Sequence, residues 1–401
     1  MKSLIIVGDG MADEPVPELD GKTPLQVADT PAMDRIAREG RSGLFETIPA
    51  DAPTGSAVAN LSVLGYDPRI HFHGRGVLEA ASLGLQLEDT DLAMRVNLIA
   101  VMDGKIASHS AGHVSDAEAE LLIRAAADHF KSWQIRIHQG LSYRHVLILP
   151  RGSPALKCIP PHDHIGERME DRLIRPENHE AETTSDLLNK MIMESMNILE
   201  HHPVNEKRIR EGKLPGNCLW PWSPGRKPAM QTFQELYGVR GAAISAVDLI
   251  KGLAVYAGMD VIHVDGATGL YDTNYEGKAD AALKALEDHD FAYVHVEAPD
   301  EAGHEKNLNL KIRCIEDLDK RLIQRVWDGL GKKLDETILS VLPDHPTPIS
   351  SGKHTRDPIP VAIRHPGLEP DTVTTYSETA AKQGGLGNLK GDAFVKLALD
   401  R

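Results

Sequence analysis

The chain opens on Ser3-Leu4-Ile5-Ile6-Val7, an unbroken apolar run that stops at Gly8-Asp9-Gly10. Continuous rather than alternating apolarity suits a parallel strand covered on both faces. Runs of the same kind lie at 241–244, 261–264, 291–296 and 337–342. Between them, residues 246–257, 278–289 and 308–329 carry helical patterns. Strands alternating with helices predict an α/β domain, a mostly parallel sheet with flanking helices.

The stretch after residue 80 has a different rhythm. Residues 92–99 and 105–109 predict a hairpin around Met102-Asp103-Gly104-Lys105. Residues 116–130 predict a helix starting at Ser115, with Glu118 three residues on completing a capping box. Residues 134–138 and 143–149 predict a second strand pair turned near Gly140. A ββαββ run without crossovers is a separate α+β module. The proline-rich stretch 154–161 begins its exit, and 184–201 predicts a helix returning to the larger domain. The expected organisation is a core of residues 1–79 and 176–401, interrupted by an inserted α+β cap over 80–175.

The 401 residues suffice for a large core without disulfides. Acidic residues outnumber basic ones by 59 to 44, a net charge of −15. That balance argues against a nucleic-acid or anionic-membrane partner, while a local basic pocket for a small anion stays open. Cys158, Cys218 and Cys314 are far apart and form no CxxC pair, so neither a disulfide scaffold nor a thiolate zinc site is expected. No apolar run approaches the roughly 18 residues of a membrane span, and no export signal is visible, so the expected compartment is the cytoplasm.

Four short stretches concentrate Asp and His: Gly8-Asp9-Gly10; His295-Val296-Glu297-Ala298-Pro299-Asp300-Glu301-Ala302-Gly303-His304; Leu342-Pro343-Asp344-His345; and Lys353-His354-Thr355. Three of them directly follow a predicted strand. In open α/β sheets, sites gather beyond the carboxyl ends of the strands. Asp9, Asp300, His304, Asp344 and His345 are therefore candidates to meet at one edge, and His354 is a further ligand candidate. Mixed carboxylate and imidazole donors suit Mn²⁺ or Zn²⁺ better than Ca²⁺. A further candidate is Ser56 in Thr54-Gly55-Ser56-Ala57, just ahead of a helical pattern. Alone it could be a simple helix cap; beside a metal site it is a nucleophile candidate. With Ser56 the donors are too many for one tetrahedral site and suit two metals sharing a nucleophile. Arg75, between glycines, Arg95 and Arg144 on predicted cap strands, and Lys251 on a predicted helix are candidate anion-binding residues. His162-Asp163-His164 is either ligand-like or an exposed loop. No GxSxG elbow and no GxxxxGK[ST] loop is present.

The stretches GDGMAD, TGSAVANLSVLGYDP, NYEGKADAALKALEDHDFAYVHVEAPDE, HVEAPDEAGHEKN and LPDHPTP with a later KHT resemble the archaeal-type cofactor-independent phosphoglycerate mutases of the alkaline phosphatase superfamily. The resemblance spans essentially the whole chain. It implies an alkaline-phosphatase-like core and interconversion of 3- and 2-phosphoglycerate, a step of glycolysis and gluconeogenesis. The implied route is a phosphoserine at Ser56, without 2,3-bisphosphoglycerate. It also implies two divalent ions, Mn²⁺ first, with Zn²⁺, Co²⁺ or Mg²⁺ as alternatives. Asp9, Ser56, Asp344 and His345 match the ligands of one ion; Asp300, His304 and His354 match the other. Lys251 matches a lysine that stabilises the transferring phosphoryl group. Arg75, Arg95, Arg144, His162 and Asp163 match substrate-binding positions. Relatives commonly carry Asp directly after the nucleophile, where this chain has Ala57; the change bears on rate and substrate choice. The alternatives are a metal-dependent phosphatase or another phosphotransferase, including the homoserine kinase activity proposed for a bacterial branch. A binding protein with a dead site is the non-enzymatic alternative.

Overall fold

The computed structural model describes residues 1–401, which form two compact units: residues 1–72 with 229–401, and residues 73–228. In chain order the strands are β1 (Lys2–Gly8), β2 (Arg41–Glu46), β3 (Leu92–Met102), β4 (Lys105–Ser108), β5 (Arg136–His138), β6 (Arg144–Leu149), β7 (Leu156–Lys157), β8 (Arg175–Pro176), β9 (Cys218–Gly225), β10 (Gly241–Ile244), β11 (Asp260–Val261), β12 (Phe291–Val296), β13 (Thr337–Leu342), β14 (Ile359–Arg364) and β15 (Gly387–Lys390).

The first unit holds an eight-stranded sheet in the order β11-β10-β12-β1-β13-β14-β2-β15. Its centre is parallel: β1 lies between β12 and β13, with Gly8 opposite Val296 and Val7 opposite Leu342. Only β14 runs antiparallel to its neighbours. Leu4, Ile6, Val294, Leu339 and Val341 are buried in one cluster with apolar residues of the helices Pro31–Arg38, Tyr275–Asp288 and Leu308–Asp317. Burial explains the continuous apolar runs. The expected strand over 261–264 is only the two-residue edge strand β11. The long helical pattern over 308–329 is interrupted by a π-helical stretch at Leu318–Ile323, whose Asp319 accepts hydrogen bonds from the amides of Ala32 and Met33.

In the second unit β3 and β4 form the expected hairpin. The helix Asp116–Phe130 carries the Ser115–Glu118 capping box, and β5 pairs with β6. Its boundaries are wider than the expected 80–175. The helix Arg75–Ser82 packs on β3, where a Cβ on Gly76 would meet the Met94 Cα at 2.5 Å. The helix Glu182–Leu199, expected to return to the core, belongs here instead: its Ser195 hydroxyl accepts the Leu219 amide of β9. β9 was not expected. Its Pro221 and Pro224 disguise a strand, but it pairs only with β3, and an edge strand tolerates proline.

Candidate metal centre

Because β1, β12 and β13 are parallel neighbours in close register, their carboxyl ends coincide. Asp9 follows β1, Asp344 and His345 follow β13, and β12 leads into the helix Ala298–His304, which carries Asp300 and His304 one turn apart. Ser56 opens the helix Ser56–Val63. Gly55, not Ser56, is that helix's N-cap, and no side chain caps it, so the simple-cap reading of Ser56 does not hold.

All seven residues expected to bind metal are brought together. Ser56 Oγ lies 3.1 Å from His345 Nε2, which is 3.4 Å from Asp9 Oδ1 and 3.6 Å from Asp344 Oδ2. Asp300 Oδ2 is 3.1 Å from His304 Nε2, and its Oδ1 is 3.3 Å from His354 Nε2. The two Nε2 atoms of His304 and His354 face each other at 3.0 Å, a separation at which both cannot carry protons. Asp300, His304 and His354 can converge on one ion, and so can Asp9, Asp300 and His345.

Burial, with Asp344, Asp300 and Glu297 nearby, pushes the Asp9 carboxyl well above its usual range. Burial acts upward on Asp300 too, but hydrogen bonds from His304 and His354 outweigh it and hold that carboxyl well below. The same bond to Asp300 raises His304 to about 9. Burial lowers His345. Asp9 Oδ1 is buried without a hydrogen-bond partner, an expensive arrangement for a carboxylate oxygen. A divalent cation fits these residues: it satisfies that oxygen, takes the imidazole lone pairs and offsets the crowded carboxylates.

Residues around the site escaped the sequence reading. Asn60, one helical turn after Ser56, donates to Asp344 Oδ2 at 2.7 Å and to the Ser56 carbonyl at 2.8 Å. Tyr293 donates its hydroxyl to Asn60 Oδ1. His295, fully buried, places Nε2 3.0 Å from Asp9 Oδ2 and Nδ1 3.4 Å from the Ser245 hydroxyl. Burial lowers His295 to about 4, so it is a neutral ring. The i+4 spacing of Asn60 from Ser56 was a usable signal; His295, hidden inside an apolar strand, offered none. Lys251 is held by Asp248 Oδ1 at 3.2 Å on the helix Asp248–Tyr256, which packs on the Ser56 helix.

The expected substrate residues Arg75, Arg95, Arg144, His162 and Asp163 all belong to the second unit. Arg95 is nearly buried on β3, stacked 5.1 Å over the Trp222 ring and 3.2 Å from Glu79. Burial depresses its pKa; Glu79 opposes this, while Arg144 and Arg75 reinforce it. Arg144 lies over Tyr143, and the His162 ring is 5.6 Å from Trp222 and 6.0 Å from His109. Trp222, Tyr143 and His109 were not anticipated. Asp163 is exposed, 3.7 Å from His162 Nε2, and His164 pairs with Glu167 at 3.0 Å. The three cysteines are free thiols, and no helix is long and apolar enough to cross a membrane.

The chain matches the metalloenzyme superfamily over residues 1–401. It is 49% identical over 398 residues to the 2,3-bisphosphoglycerate-independent phosphoglycerate mutase of Methanosarcina acetivorans, covering 98% of each chain. It is 45% identical over 406 residues to the probable enzyme of the same name from Geobacter sulfurreducens, covering all of both. Among solved structures, the cofactor-independent phosphoglycerate mutase of Thermoplasma acidophilum is similar with a TM-score of 0.69 at 30% identity, with 100% of this chain and 99% of that one covered. A protein from Pyrococcus horikoshii is similar with a TM-score of 0.85 at 32% identity, with 100% and 96% covered. With its Asp and His side chains gathered around Ser56, the chain thus belongs to the metalloenzyme superfamily and, within it, to the 2,3-bisphosphoglycerate-independent phosphoglycerate mutases.

Proposed function

We propose that this chain interconverts 3-phosphoglycerate and 2-phosphoglycerate through a phosphoserine at Ser56, with two divalent ions and no 2,3-bisphosphoglycerate. The observation that carries the reading is the Ser56 hydroxyl 3.1 Å from His345 Nε2, beside the buried Asp9, Asp344 and Asp300 carboxylates. Asp9, Ser56, Asp344 and His345 would hold one ion, and Asp300, His304 and His354 the other, with Mn²⁺ the expected metal. When bound, such ions stabilise negative charge on phosphoryl oxygens and ease deprotonation of a hydroxyl.

Ser56 Oγ attacks phosphorus in line. Its bond to phosphorus forms as the glycerate oxygen–phosphorus bond breaks, Ser56 gives up its proton, and the released glycerate oxygen gains one. The second half-reaction runs the same exchange in reverse at the neighbouring glycerate hydroxyl. Lys251 offsets charge on the transferring group. Arg75, Arg95, Arg144, His162 and Asp163 would bind the glycerate; bidentate arginine pairing with its carboxylate fixes orientation as well as position. Water must be kept from the phosphoserine, because hydrolysis there would make a phosphatase.

Incubation of Mn²⁺-loaded protein with 3-phosphoglycerate, followed by ³¹P NMR without added 2,3-bisphosphoglycerate, tests the reading. The 2-phosphoglycerate signal should rise. Free phosphate alone would favour the phosphatase alternative.

A further inference from the structure

The helix Leu308–Asp317 carries Lys311, whose side chain is fully buried and takes no part in the chemistry described so far. Lysine is almost never fully buried unless paired, and burial pushes the Lys311 amine below its usual value. It has three partners. Nζ donates to the Ala12 carbonyl at 3.1 Å, to Asp13 Oδ2 at 2.8 Å and to the Thr347 carbonyl at 2.8 Å, which uses all three of its donors. The Asp13 carboxylate also accepts the Ile349 amide, and the Asp13 amide donates to Glu378.

The ammonium therefore ties the segment after Asp9 to the segment after His345. A main-chain bond from the Thr347 amide to the Ala12 carbonyl, 3.2 Å, joins the same two segments. Thr347 is the point where this knot reaches the site. Its hydroxyl donates to Asp300 Oδ1 and lies 3.3 Å from His345 Nδ1. The hydroxyl proton goes to Asp300, which leaves an oxygen lone pair able to accept from His345 Nδ1–H. In that tautomer the His345 Nε2 lone pair faces Ser56 and Asp9.

We propose that Lys311 is a positioning residue: by holding the Thr347 main chain it fixes the hydroxyl that orients Asp300 and selects the His345 tautomer, one residue from each ligand group. The inference rests on the two-ion reading above. Groups that orient metal ligands from behind typically contribute about 10–100-fold to metal affinity.

The test is Mn²⁺ titration by calorimetry of chelator-stripped full-length protein, with urea unfolding in chelator as the parallel readout. Thr347→Val removes only the hydroxyl. Lys311→Met combined with Asp13→Asn removes the buried cation and its counter-charge together. Each should lower Mn²⁺ affinity by roughly 10–100-fold. Combining all three changes should lose no more than the larger single effect, because both act through one hydroxyl. A merely structural Lys311 would lower the urea midpoint and leave Mn²⁺ affinity alone. Wild-type affinity in Thr347→Val, or multiplied losses in the combined variant, would overturn the proposal. If the Lys311→Met, Asp13→Asn protein does not fold, Lys311→Arg replaces it, keeping the charge but displacing the donors, with the same expectation. Absence of Mn²⁺ binding by the wild-type protein would overturn the two-ion reading itself.

Discussion

Ser56 is the first residue of its helix and caps nothing, which separates its chemistry from its contribution to stability. Ser56→Ala should abolish phosphoryl transfer while shifting stability by no more than about 0.5 kcal/mol, the range for substitutions away from caps and cores. Mass spectrometry of trapped wild-type enzyme should place phosphate on Ser56 and nowhere else. His295 acts one layer behind: its neutral ring engages Asp9 Oδ2 and leaves Oδ1 free. His295→Leu should weaken Mn²⁺ binding by about 10–100-fold, and His295→Gln, which can still donate, should recover part of it. Unchanged calorimetric affinity in the leucine variant would exclude this role. His304 predicts a pH dependence. Its folded value of about 9 exceeds the unfolded histidine value of about 6.5. Its contribution to the metal-free fold is therefore complete below about pH 6.5 and lost as pH rises through about 9. Urea midpoints of chelated protein should carry a falling component across that window, which His304→Gln should remove. Metal binding should show the opposite trend, weakening in acid as protons compete with the ion for the imidazole ligands.

At the scale of elements, the site follows from three parallel strands ending at one level, and the second unit follows from a strand that proline conceals. β9 covers an edge of β3 from Ala93 to Ile99, and Leu219, Trp220 and Trp222 are buried in the same cluster as Leu92, Met94, Val96 and Leu98. A fragment spanning 73–228 should fold cooperatively by circular dichroism and give dispersed amide resonances. A fragment of 80–175 should not, because it lacks β9 and the helix Glu182–Leu199 and so exposes both a strand edge and an apolar face. Gly76→Ala probes the other border. The added Cβ would press on the Met94 backbone, which cannot yield as a side-chain tip would, so a loss of about 1–3 kcal/mol is expected in urea unfolding.

For the molecule as a whole, an acidic chain of net charge −15 nevertheless keeps Arg75 and Arg144 close enough to Arg95 to add to the depression that burial imposes on it. Such a cluster is suited to a small anion; in the proposed reading it would retain glycerate between half-reactions, which a phosphatase need not do. Arg144→Ala is the cleaner probe, since Arg95 is also engaged with Glu79 and Trp222. At saturating 3-phosphoglycerate, Arg144→Ala should raise the ratio of free phosphate to 2-phosphoglycerate, with Ser56 phosphorylation persisting. If both products fall in equal proportion, Arg144 does not hold the glycerate.

The sequence by itself determined the parallel centre of the sheet, because strands buried on both faces must be largely apolar, as Leu4 to Val7 is throughout and Phe291 to Val296 is apart from His295. It also determined the ligand candidates: Asp9, Asp344 and His345 directly follow such strands, and Asp300 and His304 are spaced one helical turn apart. The Ser115–Glu118 box marked a helix start from local chemistry alone. What only the tertiary structure decided depends on partners distant in sequence. His295 looks like strand interior until Asp9, 286 residues away, is placed against it. Lys311 looks like a solvated helix cation until Asp13 and Thr347 enclose it. β9 becomes a strand only because β3 offers an edge whose hydrogen bonds do not require the amides that Pro221 and Pro224 lack. Periodicity and local motifs report burial and spacing along one element. The identity of the atom across the gap is set by chain folding, and there the orientation of ligands and the extent of the second unit were decided.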